Sequence, residues 1–161
     1  MKKVFSFFAL AAIMLSTGLT GCSEEDPAKP LVVNTKKTAT ITGIAHATLD
    51  ATDSEIQYAP SGTKIYLKTK YSNLLSNGSK TDDYVVETTV GNNGNFSVNV
   101  PVSDNGTTYS IVGDTFLAQK TLASDDKKPY KYTATATTSG SLQVGASAFV
   151  AVEYGAGTLF E

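Results

Sequence analysis

One cysteine, Cys22, and one histidine, His46, limit the chemistry this chain can attempt. A zinc site needs several converging ligands, and a catalytic triad needs a histidine base beside its nucleophile. With Cys22 directly after the predicted leader, any histidine-based site would have to be built around His46 alone, at the end of a predicted strand, so His46 reads as a surface or strand-end histidine. Serine is plentiful, yet the chain contains no Gly-x-Ser-x-Gly elbow and no glycine-rich phosphate loop. Among the acidic residues, Asp50, Asp53 and Glu55 form the most suggestive group, since their carboxylates could gather around calcium. Calcium takes about six to eight oxygens, and this spacing lacks the acidic loop with a central glycine, so they are weak calcium candidates that read first as solvated loop charges. Asp82-Asp83 and Asp125-Asp126 lie near Lys80 and Lys127-Lys128 and read as charge-balanced turns. Paired carboxylates for glycoside hydrolysis would need a cleft, and the tryptophans that commonly build one are absent. Sugar binding without catalysis keeps Tyr58, Tyr66 and Tyr71 in view. Tyr66, outward between Lys64 and Lys68, could stack on a sugar ring or simply pair across strands. A lysine–asparagine cross-link would need an acidic residue beside it in the core, and no such triad is legible. No catalytic residue, metal or cofactor is assigned, and the expectation is a protein that is not an enzyme.

The strongest signal lies ahead of these residues. Lys2 and Lys3 precede an apolar run from Val4 to Leu15 that is too short to span a bilayer with margin, which predicts a signal peptide over residues 1–21. That run leads into Leu19-Thr20-Gly21-Cys22, which resembles a lipobox. The resemblance implies that the Cys22 thiol receives a diacylglycerol, that the chain is cut before it, and that the new amine is acylated. Acyl chains contribute about 0.8 kcal/mol per buried methylene, so two or three would hold a protein on a membrane without a helix. Ser23-Glu24-Glu25-Asp26 then resembles the acidic export signal of Bacteroidota-type surface lipoproteins. That implies an outer-membrane protein facing the cell exterior; without the resemblance the same residues are an acidic tether.

Composition narrows the partners. Without Lys2 and Lys3 the chain has 11 lysines against 15 acidic residues, a net charge of −4, and it has no arginine. Nucleic acid is therefore an unsuitable partner, because neither a basic patch nor bidentate guanidinium contacts are available. Residues 22–37 read as the lipidated cysteine and a flexible tether bearing Pro27 and Pro30. A coil of that length reaches about 20 Å. Leu31-Val32-Val33 interrupts the tether and could form an early edge strand.

From Thr38 to Glu161 the pattern has period two. Ile65, Leu67, Thr69 and Tyr71 alternate with lysines and Tyr66, while Phe96, Val98 and Val100 alternate with Asn95, Ser97 and Asn99. Asn77-Gly78, Asn93-Gly94 and Asn105-Gly106 each suit a type I′ turn and predict a hairpin. The expected strands are 38–46, 63–71, 83–90, 94–101, 107–121 with a bend or bulge at Gly113-Asp114, 129–138 and 141–153, with a turn at Ser139-Gly140. The fold expected is all-β, a seven-stranded antiparallel immunoglobulin-like or transthyretin-like β-sandwich.

Ile41-Thr42-Gly43-Ile44, Ala59-Pro60-Ser61-Gly62-Thr63-Lys64-Ile65-Tyr66-Leu67, Asn93-Gly94-Asn95-Phe96-Ser97-Val98 and Tyr109-Ser110-Ile111 resemble the carboxypeptidase-regulatory or transthyretin-like group of sandwiches. The likeness covers residues 39–112, with Gly91-Asn92 and the longer loop Ser72 to Asp83 departing from it. It implies a noncatalytic module on a secreted or surface protein. The function expected is a lipid-anchored module that binds a glycan or a surface protein. The alternatives are a structural subunit of a fimbria-like assembly and, remotely, a small hydrolase.

Overall fold

The structure, a computed structural model, describes residues 32–75 and 81–161. The described residues form eleven strands: β1 (Thr38–Ala47), β2 (Lys64–Lys70), β3 (Asp83–Thr89), β4 (Asn95–Pro101), β5 (Thr107–Gly113), β6 (Phe116–Thr121), β7 (Lys127–Tyr132), β8 (Ala134–Thr135), β9 (Thr137–Leu142), β10 (Ser147–Tyr154) and β11 (Thr158–Leu159). A single helical turn, α1 (Tyr71–Leu74), follows β2. One sheet runs β4-β1-β10-β8, a second β3-β2-β5-β9, and a smaller third β11-β7-β6.

The alternation that predicts strands also explains why the two large sheets share a core. Along β2, Ile65, Leu67 and Thr69 are buried while Lys64, Lys68 and Lys70 are exposed. One face of the pleat therefore supplies the interior and the other the charged surface. Ile41, Phe96 and Val152 from the first sheet meet Leu67, Tyr109 and Ile111 from the second in one continuous cluster. Burying such side chains contributes about 1.5–3 kcal/mol each. Tyr109 and Tyr132 enter this core because their hydroxyls find carbonyls, Pro101 O at 2.7 Å and Thr48 O at 2.9 Å.

The topology departs from the expectation in four respects. The strands are not all antiparallel: β1 and β10 pair in parallel, from Thr40 opposite Ser147 to Ala47 opposite Tyr154. These strands are far apart in sequence and share no turn, so nothing local announces the pairing. The strand expected over 107–121 breaks at the anticipated Gly113-Asp114, but its halves, β5 and β6, enter different sheets. Likewise, the strand expected over 129–138 becomes β7, β8 and the start of β9, in three separate sheets. Finally, Ser139-Gly140 is a bulge inside β9, with Gly140 at φ 70°, because the register slips between Thr108 and Ser110. The turn itself is Gln143–Ala146, closed by the Ala146 N–H on the Gln143 carbonyl at 3.0 Å.

The Asn-Gly pairs show the same separation of local geometry from pairing. Asn93 and Gly94 adopt φ of 61° and 74°, as a type I′ turn requires. Yet this turn joins β3 to β4, which lie in different sheets, and Asn105-Gly106 likewise carries β4 across to β5. Both are arches rather than hairpins. Asn77-Gly78 lies outside the described residues.

Candidate functional site

The backbone leading into β1 is pinned by its neighbours. The Val102 N–H donates to the Lys37 carbonyl at 2.9 Å, and the Gly145 N–H donates to the Thr38 carbonyl at 2.8 Å. The Lys37 ammonium also meets the Asp104 carboxylate at 2.6 Å. The chain therefore joins the sandwich beside the 102–106 arch and the 143–146 turn, next to a cleft of about 710 Å³ lined by Lys37, Asn73, Val102 and Asp104 among others. Leu19, Thr20, Gly21, Cys22, Ser23, Glu24, Glu25 and Asp26 lie outside the described residues.

The three tyrosines considered for sugar binding are not brought together. Tyr66 does project from the outer face of β2, opposite Glu87 on β3 and Val112 on β5, with Lys64 beside it paired to Glu87 at 2.9 Å. That ion pair holds the Lys64 ammonium above its ordinary pKa. Tyr58 lies before β2, bridged to His46, and its ring occupies the space that a Cβ on Gly94 would need. Tyr71 lies after β2, in α1, with its ring edge-on to Tyr84 at 5.4 Å. β2 spans about 23 Å at 3.3 Å per residue, so Tyr58 and Tyr71 are separated by roughly the length of the sandwich.

The acidic loop is likewise arranged for its own turns. Asp50 Oδ1 accepts the Thr52 N–H at 2.8 Å and hydroxyl at 2.6 Å, which draws its pKa down, and Asp53 Oδ1 accepts the Glu55 N–H at 2.9 Å. Among the described residues no three His, Cys, Asp or Glu side chains gather in a way that could hold a metal. His46 is half-buried at the end of β1, with its Nε2 3.9 Å from Glu153 Oε1. The lysine that enters the core is Lys120, whose ammonium is met by the Ala156 carbonyl at 2.5 Å and the Tyr130 ring at 5.1 Å.

What sequence reasoning missed is an edge. The carbonyls of Ala146 and Ala148 accept from Thr40 N–H and the Thr42 hydroxyl, and the Val150 carbonyl abuts Gly43, so these even-numbered groups all face β1. The backbone N–H and C=O groups of Ser147, Phe149 and Ala151 consequently face the other way. On that side β8 pairs only with Glu153 and Tyr154. Phe149 is 70% exposed, and a groove of about 370 Å³, lined by Thr135 to Thr138 and Phe149 to Ala151 and Glu153, runs alongside.

Sheet edges attract foreign strands unless something blunts them. Among the described residues several other strands carry such a device. β3 bears Asp83 and Glu87 in ion pairs with Lys70 and Lys64. β4 ends in Pro101 and accepts the Thr88 hydroxyl at Ser97 O. β9 is bulged, β7 is covered by β11, and β6 is bonded through Thr121 to Leu49 and Ala51. From Ser147 to Val152, β10 carries no charge, no proline and no bulge. The sequence signal was the uncharged run Ser147-Ala148-Phe149-Val150-Ala151-Val152, which gains meaning only once its neighbours are known.

No protein-family model matches the chain, and no curated protein does.

Proposed function

We propose that this chain is a noncatalytic surface lipoprotein, held at the outer membrane by acyl chains on Cys22 and facing the cell exterior, whose β-domain is a binding or assembly module for a glycan or protein partner. The observation that carries the binding role is the open, uncharged β10 edge with Phe149 beside it. Such an edge gives affinity through main-chain hydrogen bonds and takes selectivity from alternate side chains. The lipobox-like and acidic residues supply the address. The strand order also supports a transthyretin-like sandwich over an immunoglobulin-like one. In the constant-type immunoglobulin order the first two strands share a sheet. Here β1 and β2 lie in opposite sheets, and seven strands, β1 to β5 with β9 and β10, build the two main layers. β6, β7, β8 and β11 are then additions to that frame.

Two measurements test this reading. Cys22→Ser should abolish palmitate labelling and release the full chain from the membrane fraction; a variant that stays membrane-bound refutes the anchor. Protease treatment of intact cells should cleave the domain along with known surface proteins, and survival of the full-length chain refutes the outward orientation. The glycan arm of the reading rests on Tyr66, the outward tyrosine of the second sheet. Tyr66→Ala should weaken capture on a glycan array, and indifference to that change moves the role to a protein partner.

A further inference from the structure

The structure assigns a spontaneous modification site to Asn105-Gly106, in the arch between β4 and β5. There the asparagine converts to aspartate and isoaspartate in the folded domain, while the fold holds Asn93-Gly94 back from the same reaction. An Asn-Gly pair hinders this chemistry least, because glycine puts no side chain beside its attacking nitrogen. The Gly106 backbone nitrogen adds to the Asn105 side-chain carbonyl carbon. Its proton leaves with the side-chain nitrogen as ammonia, and a five-membered imide remains. Water then opens the ring at either carbonyl. One opening gives aspartate. The other gives isoaspartate, whose main chain runs through the former side chain and is longer by one methylene. Each product replaces a neutral amide by a carboxylate.

The two described pairs share a sequence and differ in their surroundings. Ring closure requires the peptide between the two residues to turn until its nitrogen meets the side chain. Asn105 is exposed at the tip of its arch, and among the described residues its side-chain amide has no protein hydrogen-bond partner. The arch is held on either side of that tip: the Ser103 N–H donates to the Thr107 hydroxyl at 3.0 Å, and the Ser103 hydroxyl donates to the Gly106 carbonyl at 2.9 Å. The tip itself is closed by the Gly106 N–H on the Ser103 carbonyl at 3.1 Å. Giving up one such bond slows the reaction by about two- to twelvefold relative to an open chain. Asn93 is placed differently. It turns at φ 61° and ψ 28°, and the buried Gly94 after it lies so close to its neighbours that a Cβ would stand 2.6 Å from the Tyr58 ring and 2.7 Å from the Ala45 carbonyl oxygen. Turning this peptide drives it against β1 and the Tyr58 ring, so the reaction there waits for an opening that breaks packing.

The products change the arch in two ways. Asn105 and Gly106 line the cleft of about 710 Å³ together with Lys37 and Asp104, so the new carboxylate arises beside that ion pair. Isoaspartate also adds an atom to the ring that the Gly106 N–H closes on Ser103, which loosens the turn. The arch accumulates charge and backbone length as the molecule ages.

Peptide mapping of the purified full chain, held folded in mildly alkaline buffer, tests the assignment. The Asn105 peptide should gain about one dalton and separate into two products of that mass, each labelled when the water is enriched in heavy oxygen. Conversion at Asn105 should run at least about tenfold faster than at Asn93. In urea the two rates should come within about threefold of each other, because both pairs are then open. Equal rates in the folded chain overturn the assignment, as does an Asn105 that stays intact over a period in which the urea-unfolded chain converts. Asn105→Asp supplies the aspartate form directly, and the isoaspartate form should melt below it. Equal melting of the two overturns the loosening of the turn.

Discussion

Gly43 is the position where one methyl group tests the core most severely. It lies mid-β1, opposite Phe96 on β4 and Val150 on β10. A Cβ there would run into the Phe96 ring and would stand 2.5 Å from the Val150 carbonyl oxygen. The ring can yield by changing rotamer. The carbonyl belongs to the parallel β1–β10 ladder and cannot move without disturbing it. Overpacking of this kind costs about 1–3 kcal/mol, and alanine's lower unfolded-state entropy offsets about 0.4–1 kcal/mol of it. The expected net loss for Gly43→Ala is about 1–2 kcal/mol, or roughly 4–8 °C in melting temperature for a domain of this size. Urea and thermal unfolding would measure it. Phe96→Leu in the same chain should recover part of the loss, with a favourable coupling of about 0.5–1 kcal/mol. Recovery should remain partial because the carbonyl clash persists. A neutral or stabilising Gly43→Ala, or zero coupling to Phe96→Leu, would refute the close approach of β4 and β10 across β1.

Three further outcomes concern the core tyrosines, Lys120 and the acidic loop. Burial, with the Asp114 carboxylate adding to it, pushes the Tyr154 phenol up to about 12, and burial moves Tyr109 and Tyr132 in the same direction. The neutral phenols are favoured in the folded state, so their contribution is whole below about pH 10 and is lost as pH rises toward 12. For Tyr154 alone this is on the order of 2 kcal/mol. Alkaline unfolding monitored at the tyrosinate absorbance should show ionisation and unfolding together; free titration near pH 10 with the fold intact would contradict it. Lys120→Met removes the ammonium from the Ala156 carbonyl and should leave the main transition within about 1 kcal/mol. It should instead speed hydrogen exchange at the Phe160 N–H, which pairs with Pro129 O beside the same C-terminal segment, and unchanged exchange there would show that Lys120 does not hold that segment. Calcium should leave the melting temperature unchanged, since Asp50 and Asp53 already serve their own turns. A calcium-dependent rise that Asp50→Asn abolishes would restore the loop as a site.

How far the chain could be read from its residues depended on whether the deciding partner was local. Ile65, Leu67 and the lysines between them announce β2 and its buried face because a period-two pattern needs no knowledge of neighbours. Asn93-Gly94 announces two positive φ angles for the same reason, and both occur. Neither pattern says which strand comes next in space, so the same turn chemistry served an arch between sheets, and the glycine at 140 served a bulge. In β10, alternation puts Phe149 and Val150 on opposite faces without saying which is inside; Val150 is buried and Phe149 exposed. The β1–β10 register settles this, because it sets Val150 beside Gly43 and Val152 beside the buried Ala45 on the core face. An open edge of this kind is defined by what does not pair with it, so it appears only after the other pairings in the sheet have been assigned. An anchor read from Leu19-Thr20-Gly21-Cys22 is the opposite case, contiguous and indifferent to the fold behind it. The two features thus ask for different experiments, and neither can stand in for the other: on the proposed reading Cys22→Ser should move the domain without altering its edge, while Phe149→Lys should alter the edge without moving the domain.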